Sequence, residues 1–360
     1  MAGMAPEWDL LADELHAPPF LRPGWIEAWW RAFGRGGLEI YTARSHGRLV
    51  AVVPLSHGRG VLASPANWHT PLFGLVGEEA ALHGLVRRIL MDASAARRVS
   101  LGFVDSSAAD ALAFRAIALE RGFRLRTQTL GRAVAVRIEG EWGTYEQRLS
   151  GNLRRGLKRS LRRLQKVGEV TFQHADGQTG LDALLTEGFR IESLGWKGTR
   201  GTAIAAHPET ERFYRDVGTW AAGQGCLRLA FLRVDGRAIA FWFAIEDHGV
   251  HYALKSGFDP GYGAFSPGRL LLHRSLEDAF SRDLTRFEMG QSEDYKLSWA
   301  NAFRELVRLN AFPPSIPGRL EWGASRLADP AARRVLKAAR SRQQRLHWRS
   351  GTGRGQERHG

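Results

Sequence analysis

Two stretches of the chain that lie 189 residues apart follow one pattern. Residues 43–51 and 232–240 each place a His-Gly or Asp-Gly turn between two strand-like runs, which indicates a β-hairpin. A helix-like run and a strand-like run then follow each hairpin. These runs cover Glu78–Ala93 and Val99–Val104 in the first copy, and Arg269–Phe280 and Leu284–Met289 in the second. The shared order predicts two tandem copies of one α/β module, and a chance likeness of two hairpins is the alternative.

The second copy contains the most distinctive segment, residues 251–280. A strand-like run reaches Gly257, and a loop with four glycines and two prolines continues to Gly268. Leucines then recur at helical spacing. A strand that enters a tight loop before a helix directs the first N–H groups of that helix to one point, which favours phosphate. The segment therefore predicts a diphosphate site, such as one for an acyl-CoA; an ordinary strand–helix turn is the alternative.

Length and composition limit the class of protein. A chain of 360 residues exceeds what one ordinary core serves, so two domains are expected. The one cysteine, Cys226, excludes an internal disulfide and fits a reducing compartment. The first 17 residues have no basic and apolar leader pattern, and no apolar run approaches the ~20 residues that cross a bilayer. We expect a cytoplasmic protein without a membrane span; oligomeric state is not readable.

The net charge of +14 is concentrated in two places. Residues 152–167 contribute +7 and residues 323–360 contribute +8, so the rest of the chain is close to neutral. This distribution argues against a polyanion-binding surface along the whole chain. The basic tail is expected to hold a helix over 329–349 and a disordered end, and we assign it no catalytic role.

The basic stretch 151–166 predicts a helix. Four leucines form one apolar stripe, and seven Arg or Lys residues surround it. Three uses are compatible with this pattern: a solvated face packed by its leucines, a site for RNA or another polyanion, and a guide for anionic acceptors or CoA phosphates.

The segment after the second hairpin resembles the acetyl-CoA segment of the GNAT acyltransferase superfamily. The matching positions are Pro260 and Tyr262 in the turn, Gly268 at the last glycine, and Leu271 in the helix. Gly263 and Ser266 depart from the usual Gln/Arg and Gly. The run from Ser266 to Leu271 is similar instead to the GNAT-like acetyltransferases of cellulose and exopolysaccharide gene clusters, which are themselves similar to Fem-type peptidyltransferases. Fem-type enzymes use aminoacyl-tRNA and have a basic helix like 151–166.

The resemblance implies a donor site. In the GNAT arrangement the pantetheine arm pairs with a strand, here Tyr252–Gly257, and Gly257 would allow its close approach. Arg269 would meet the phosphates. The implied donor-binding residues are Leu254, Lys255, Ser256, Gly257, Ser266, Pro267, Gly268 and Arg269.

Two further clusters resemble acceptor-side segments of the family. Glu192, Trp196 and Lys197 match a Glu-x-x-x-Trp-Lys segment, and Glu192 is the first candidate for general base because an aromatic wall can raise a carboxylate pKa. Tyr295 and Lys296 match a Tyr-Lys-x-x-Trp segment. Tyr295 is then a candidate acid for the leaving thiolate and Lys296 a contact for acceptor or phosphate, with Trp196, Lys197 and Asp294 binding the acceptor. Packing or a Glu192–Lys197 ion pair is the alternative for these residues.

Other chemistries find little support in the sequence. The twelve histidines show no paired metal-ligand spacing, so we expect no metal, and no Gly-x-Ser-x-Gly or Walker motif is present. In the first copy, residues 67–71 occupy the place of the Ser-Pro-Gly-Arg loop, so this half is expected to be structural or acceptor-binding.

The sequence thus predicts an α/β protein of two tandem GNAT-like domains, each a mixed, mostly antiparallel sheet flanked by helices. The expected units are 1–145, which lacks an evident acyl-CoA loop, 146–318, which is catalytic, and the tail 319–360. The predicted function is transfer of an acetyl or longer acyl group from acyl-CoA to an amine of a small molecule or saccharide. A tRNA-dependent Fem-like transferase and a non-catalytic polyanion-binding protein are the alternatives; nucleic acid is not the favoured partner.

Overall fold

The computed structural model of the protein describes residues 2–195 and 203–326. Twelve strands are formed in this part of the chain: β1 Gly37–Ser45, β2 Arg48–Gly58, β3 Val61–Ala63, β4 Val76–Gly77, β5 Arg98–Asp105, β6 Arg124–Arg137, β7 Val170–Ala175, β8 Leu227–Val234, β9 Arg237–Asp247, β10 Val250–Phe258, β11 Arg286–Gln291 and β12 Ala302–Phe312. The α-helices are α1 Ala5–Glu14, α2 Pro23–Phe33, α3 Glu79–Asp92, α4 Ala109–Glu120, α5 Trp142–Arg148, α6 Gly151–Leu164, α7 Leu181–Leu194, α8 Pro208–Gly223, α9 Pro267–Ser281 and α10 Asp294–Leu297. A further helix begins at residue 316, and the predicted tail helix 329–349 lies outside the described residues.

The two predicted hairpins are confirmed. β1 pairs with β2 and β8 with β9, both antiparallel, and the turns are His46-Gly47 and Asp235-Gly236. All four turn residues have positive φ, between 48° and 82°, which a two-residue turn between twisted strands requires. The local turn chemistry therefore fixes these two elements.

All the strands join one mixed sheet. Its order is β1-β2-β3-β5-β12-β6-β11-β10-β9-β8-β7, and β4 pairs with β2. β3 runs parallel to β5, and β10 runs parallel to β11 at the corresponding place in the second copy. Counted outward from the boundary between β12 and β6, the order is β12-β5-β3-β2-β1 on one side and β6-β11-β10-β9-β8 on the other, with β7 as an extra edge strand. The repeat seen in the sequence is therefore also a repeat in space.

The two halves exchange their last strands. β12, from the second half of the chain, lies beside β5 of the first half, and β6, from the first half, lies beside β11 of the second. β6 and β12 pair with each other along most of their length. The sheet is therefore continuous across both halves. The domain boundaries at residues 145 and 318 stay predictions, and no gap in the sheet marks them.

Helices cover both faces of this sheet. One apolar core lies between it and α1, α2, α3, α4, α7 and α8, and a second lies between the other face of the second half and α5, α6 and α9. The central strand β9 is buried on both faces, which explains its continuous apolar run from Ala238 to Ile245. The halves also meet through α2 and α8, where Trp25 packs edge-on against Phe213 with ring centroids 5.1 Å apart.

None of the helices among the described residues is long and apolar enough to cross a bilayer.

Candidate functional site

The parallel strands β10 and β11 separate shortly after they meet. Their pairing covers only Val250–Tyr252 against Arg286–Glu288. Beyond this point β10 continues to Phe258 while it stays paired with β9 on its other side. Between these described strands the sheet therefore has a split, along which one backbone edge of β10 is available for an added strand-like ligand.

Bulges in both strands lie at the start of the split. The β10 pairing with β9 shifts register at Leu254, and the β11 pairing with β6 shifts between Glu288 and Gln291. Gly290 lies inside the second bulge with a φ of +74°, and a Cβ atom there would lie 3.6 Å from the Ala253 carbonyl oxygen. A glycine therefore suits this left-handed position of the bulge, and it leaves the space between the two strands unfilled.

The N-terminus of α9 lies beside the split. Ser266 precedes the helix with φ 51° and ψ 50°, a left-handed conformation that is uncommon for a residue with a side chain. Pro267 occupies the first helical position and has no N–H, so the first amide of the helix belongs to Gly268. This terminus of a 15-residue helix favours an anion.

One cavity of about 570 Å³ joins the split, the α9 terminus and both halves of the chain. Of the predicted donor residues, those that line it are Leu254, Lys255, Ser256, Gly257, Ser266, Gly268 and Arg269. Pro267 is buried and does not line it. The predicted residues Glu192, Tyr295 and Lys296 also line the cavity, whereas Asp294 is exposed outside it and Glu293 takes its place.

Glu192 is buried where α7 crosses β10. Only 1% of the residue is exposed, and Oε2 accepts a hydrogen bond of 2.8 Å from the Ile204 amide. The crossing is close: a Cβ on Gly257 would lie 2.4 Å from the Glu192 Cα. We therefore correct the expectation for Gly257, since the missing side chain makes room for α7 rather than for a ligand. Trp196 and Lys197, predicted beside Glu192, lie outside the described residues.

Tyr295 and Lys296 lie on the α9 side of the split. Burial raises the pKa of the Tyr295 phenol, the Glu293 carboxylate adds to this effect, and a hydrogen bond with Ser256 opposes it. The phenol therefore stays protonated near neutral pH. Lys296 Nζ donates a hydrogen bond of 3.2 Å to the Gln291 carbonyl and lies 3.5 Å from the Glu293 carboxylate.

The first half of the chain supplies one wall of the cavity, which no catalytic motif in the sequence predicts. Trp68, His69 and Thr70, from the loop after β3, line the cavity together with Tyr214 of α8. The signal available in the sequence was the loss of the glycine-rich loop at this place in the first copy. No single-residue pattern indicates that the replacement reaches the other half.

A charged wall completes the cavity at the exchanged strands. The Arg304 guanidinium, on β12, lies 3.0 Å from the Glu288 carboxylate on β11 and 3.2 Å from Asp105 at the end of β5. Arg286 also donates to Glu288, at 2.6 Å. These contacts connect the end of β5, in the first half, to the split between β10 and β11 in the second half.

Among residues 2–195 and 203–326, no group of three or more His, Cys, Asp or Glu side chains is arranged to hold a metal ion.

Comparisons with known proteins agree with this architecture. Residues 151–297 match the family model described as the acetyltransferase (GNAT) domain. FemX is 12% identical, with 85% of this chain and 95% of that chain covered and a TM-score of 0.59. The C-terminal domain of a proposed lysylphosphatidylglycerol synthetase from Agrobacterium fabrum is 14% identical, with 90% and 96% covered and a TM-score of 0.57. A conserved protein of unknown function from Bacteroides thetaiotaomicron is 12% identical, with 79% and 88% covered and a TM-score of 0.50.

A search of curated proteins found no match. The predicted tandem GNAT-like α/β fold is confirmed, and so is the likeness in fold to Fem-type proteins. Membership of the cellulose-cluster branch stays a prediction.

Proposed function

We propose that this chain, whose residues 151–297 form a GNAT-type acetyltransferase domain, moves an acyl group from an acyl-CoA directly to an amine, on an amino sugar or another polar metabolite. The observation that supports this most is the split between β10 and β11, because it opens into the same cavity as the α9 N-terminus. A thioester carrier needs a place for an extended amide-bearing arm and a place for its phosphates, and this cavity offers both.

The donor would lie along β10. The amide groups of a pantetheine arm would pair with the edge of Ala253–Phe258 that lies beyond the pairing with β11, as an added strand does. Its diphosphate would lie at the Gly268 amide, with the Arg269 guanidinium on the exposed side of the cavity. This arrangement would leave the thioester near the start of the split, where the bulged backbone of β10 and β11 supplies polar groups for its carbonyl oxygen.

The transfer itself would be a direct attack. The amine nitrogen bonds to the thioester carbonyl carbon, the carbon–sulfur bond breaks, and the amine proton passes to the Glu192 carboxylate. The departing thiolate takes a proton from the Tyr295 phenol, which burial keeps protonated at neutral pH, and the phenolate regains a proton from solvent. Both groups line the one cavity.

Calorimetry with acetyl-CoA, longer acyl-CoAs and CoA tests the donor. We expect the wild type to bind at least one of them and Gly268→Leu to lose this binding, because the new side chain would occupy the anion site. Gly84→Leu is the matched control, since Gly84 lies on a helix with no atom within 4 Å of an added Cβ and does not line the cavity. Absence of binding to every acyl-CoA and to CoA would overturn the proposal.

Turnover measured with an amine that the protein acylates then separates the roles of Tyr295 and Glu192. Tyr295→Phe and Glu192→Gln should each lower kcat by about a hundredfold, a typical size for loss of a general acid or base. Tyr41→Phe is the control for the phenol, because Tyr41 lies on β1 and does not line this cavity. Full turnover in either active-site variant would remove that residue from its assigned role.

A second candidate, an aminoacyl-tRNA-dependent transferase, is favoured by α6. None of its basic side chains between Arg154 and Lys166 forms an ion pair with another described residue. The helix also packs beside the Pro260–Phe265 turn, where the Arg163 guanidinium lies 5.2 Å from the centre of the Phe265 ring. Basic side chains next to this turn would suit a long anionic carrier.

RNA binding distinguishes the two candidates. A tRNA-dependent enzyme should bind tRNA with an affinity that falls steeply with salt, with a log–log slope of about −0.7 to −0.9 for each phosphate contacted. Replacing Arg155, Arg159 and Arg162 by glutamine should abolish that binding. Wild-type protein that binds acyl-CoA and shows no salt-sensitive tRNA binding would exclude the second candidate.

A further inference from the structure

The loop 64–72 of the first half extends across the sheet to the cavity of the second half, and its shape is fixed by its own side chains. The His69 amide donates a 3.0 Å hydrogen bond to Asn67 Oδ1, and the Thr70 amide donates one of 2.8 Å to the Asn67 carbonyl. Thr70 is buried, with 3% exposed, and its Oγ1 accepts from the Asn67 amide at 3.3 Å. Residues at the tip are therefore held in one geometry.

The His69 ring is held among aromatic rings of both halves. It stacks on Phe33 of α2, with ring centroids 5.4 Å apart and planes 8° apart. It meets Tyr214 of α8 edge-on at 5.7 Å, and its Nδ1 lies 3.4 Å from the Tyr214 hydroxyl. His69 also lines the cavity. Such packing orients the imidazole with little freedom to move.

The surroundings also fix the charge of this ring. Burial, together with the nearby Lys255 and His207, lowers the pKa of His69 to about 4. Tyr214 lies against the ring, and Lys255 Nζ lies 5.5 Å from the centre of the Tyr214 ring. At neutral pH the imidazole is uncharged, so it has one nitrogen that donates and one that accepts a hydrogen bond. Its Nδ1 faces the Tyr214 hydroxyl, so Nε2 is the nitrogen that would bond to a ligand, and a hydroxyl group can either accept from it or donate to it.

Trp68 gives the same wall an apolar surface. Its side chain is 64% exposed, although it lines the cavity, and the ring of Phe103 supports it edge-on with centroids 5.2 Å apart. An exposed indole at the edge of a cavity offers a ligand a large, rigid apolar face. A flat apolar ring beside a hydroxyl-binding group matches a sugar, which has an apolar face and hydroxyls at its rim.

We propose that Trp68 and His69 form the acceptor subsite of the enzyme and select an amino sugar, whose ring lies on Trp68 and whose hydroxyl bonds to His69. The inference depends on the proposed acyl transfer, since it assigns the acceptor of that reaction. In this arrangement the first half of the chain recognises the acceptor and the second half binds the donor. His69 and Trp68 are thus specificity-determining residues, and Glu192 keeps the role of base.

The test uses D-glucosamine and its β-1,4-linked oligomers as acceptors, acetyl-CoA as donor, and release of free thiol as the readout. Trp68→Ala and His69→Ala should each raise the KM for the oligomer by about tenfold, the size of one lost aromatic or hydrogen-bond contact, with little change in kcat. Trp68→Phe and His69→Gln should recover most of the wild-type KM, because they keep a ring or a neutral hydrogen-bonding group. Acetyl-CoA affinity by calorimetry should be unchanged in all four variants.

Phe303→Ala is the control for loss of an exposed ring, because Phe303 is 53% exposed on β12 and does not line the cavity. Thermal unfolding of each variant checks that it folds. If acyl-CoA binds and neither glucosamine nor its oligomers are acetylated, or if the alanine variants keep the wild-type KM, the subsite assignment is wrong and the donor site stands. If no acyl-CoA binds, the acyl-transfer proposal fails first. A His69→Gln enzyme that loses kcat together with one limb of its pH profile would make His69 a base and overturn its neutral role.

Discussion

The two copies of the repeat treat the same gap between parallel strands in opposite ways. In the second half, β10 leaves β11 after Tyr252 and the gap opens into the cavity. In the first half, β3 pairs with β5 only over Val61–Ala63, and the chain itself then returns to fill the gap. Phe73 bridges to Val104, its amide donates to the Phe103 carbonyl at 2.8 Å, and its side chain is 1% exposed.

Further hydrogen bonds hold the segment that closes the gap in the first half. Ser64 Oγ accepts from the Gly102 amide at 2.9 Å, and Asp110 Oδ2 accepts from the Leu75 amide at 2.7 Å. The same bulge nevertheless persists in both copies, with Phe103 at φ +61° where the second half has Gly290 at +74°. The first half thus closes its gap, and its loop 64–72 instead lines the cavity of the other half.

The largest effect should come from filling the crossing that supports the open gap. Gly257→Leu would place its side chain against the Glu192 backbone, and we expect a loss of about 3 kcal/mol or more in the free energy of unfolding. Urea unfolding measures this loss. Gly268→Ala is the control, because its Cβ would meet Phe258 at an ordinary 3.6 Å and should change stability by less than about 1 kcal/mol. Equal stability of Gly257→Leu and wild type would mean that α7 does not cross as closely as described.

Copying the first half into the second should close the open gap. Gly290→Phe puts a ring at the bulge, directed at the Ala253 carbonyl, so acyl-CoA affinity should fall by about tenfold or more, equivalent to about 1.4 kcal/mol or more of binding energy. The left-handed backbone adds a penalty of about 1–2 kcal/mol to folding, which Phe103 shows the fold can carry. Calorimetry gives the first value and thermal unfolding the second. Unchanged acyl-CoA affinity in a folded variant would argue that the donor does not use this gap.

Loosening the closed gap should affect folding alone, because Asp110 does not line the cavity proposed to bind acyl-CoA. Asp110→Ala leaves the Leu75 amide without its acceptor and should lower the free energy of unfolding by about 2 kcal/mol. Asp110→Asn keeps a carbonyl oxygen in place and should recover most of that loss. If both variants unfold alike, the hydrogen bond does not hold the closing segment.

The smallest effect concerns His69 in the loop 64–72. Because the folded-state pKa of His69 lies near 4, below its ordinary 6.5, its contribution to stability is full above pH 6.5 and is lost as pH falls toward 4. Between pH 7.5 and 5.5 the wild type should lose about 1 kcal/mol more than His69→Gln, which does not titrate. Paired urea unfolding curves at the two pH values measure this difference. Parallel loss in both proteins would show that the ring is not held neutral by its surroundings.

Local patterns predicted the elements better than the site. The turns at His46-Gly47 and Asp235-Gly236 and the helix start at Pro267 follow from residue types whose backbone preferences act over two or three positions. The place of Gly257 was predicted but not its reason, since no local pattern reveals that α7 crosses β10 there. His69 escaped notice as a site residue because its partners, Phe33 and Tyr214, lie far from it along the chain.

The sequence by itself determined the repeated hairpin–helix–strand order, the loop rich in glycine and proline before α9 and the basic character of α6, because turn chemistry and hydrophobic periodicity are local properties. Only the tertiary structure decided that β6 and β12 change places, that one parallel gap opens while the other is filled, and that a loop of the first half walls the site of the second. These features depend on which distant backbone edges pair with one another. That choice depends on burial and hydrogen bonding summed over the whole sheet, which no short stretch of residues contains.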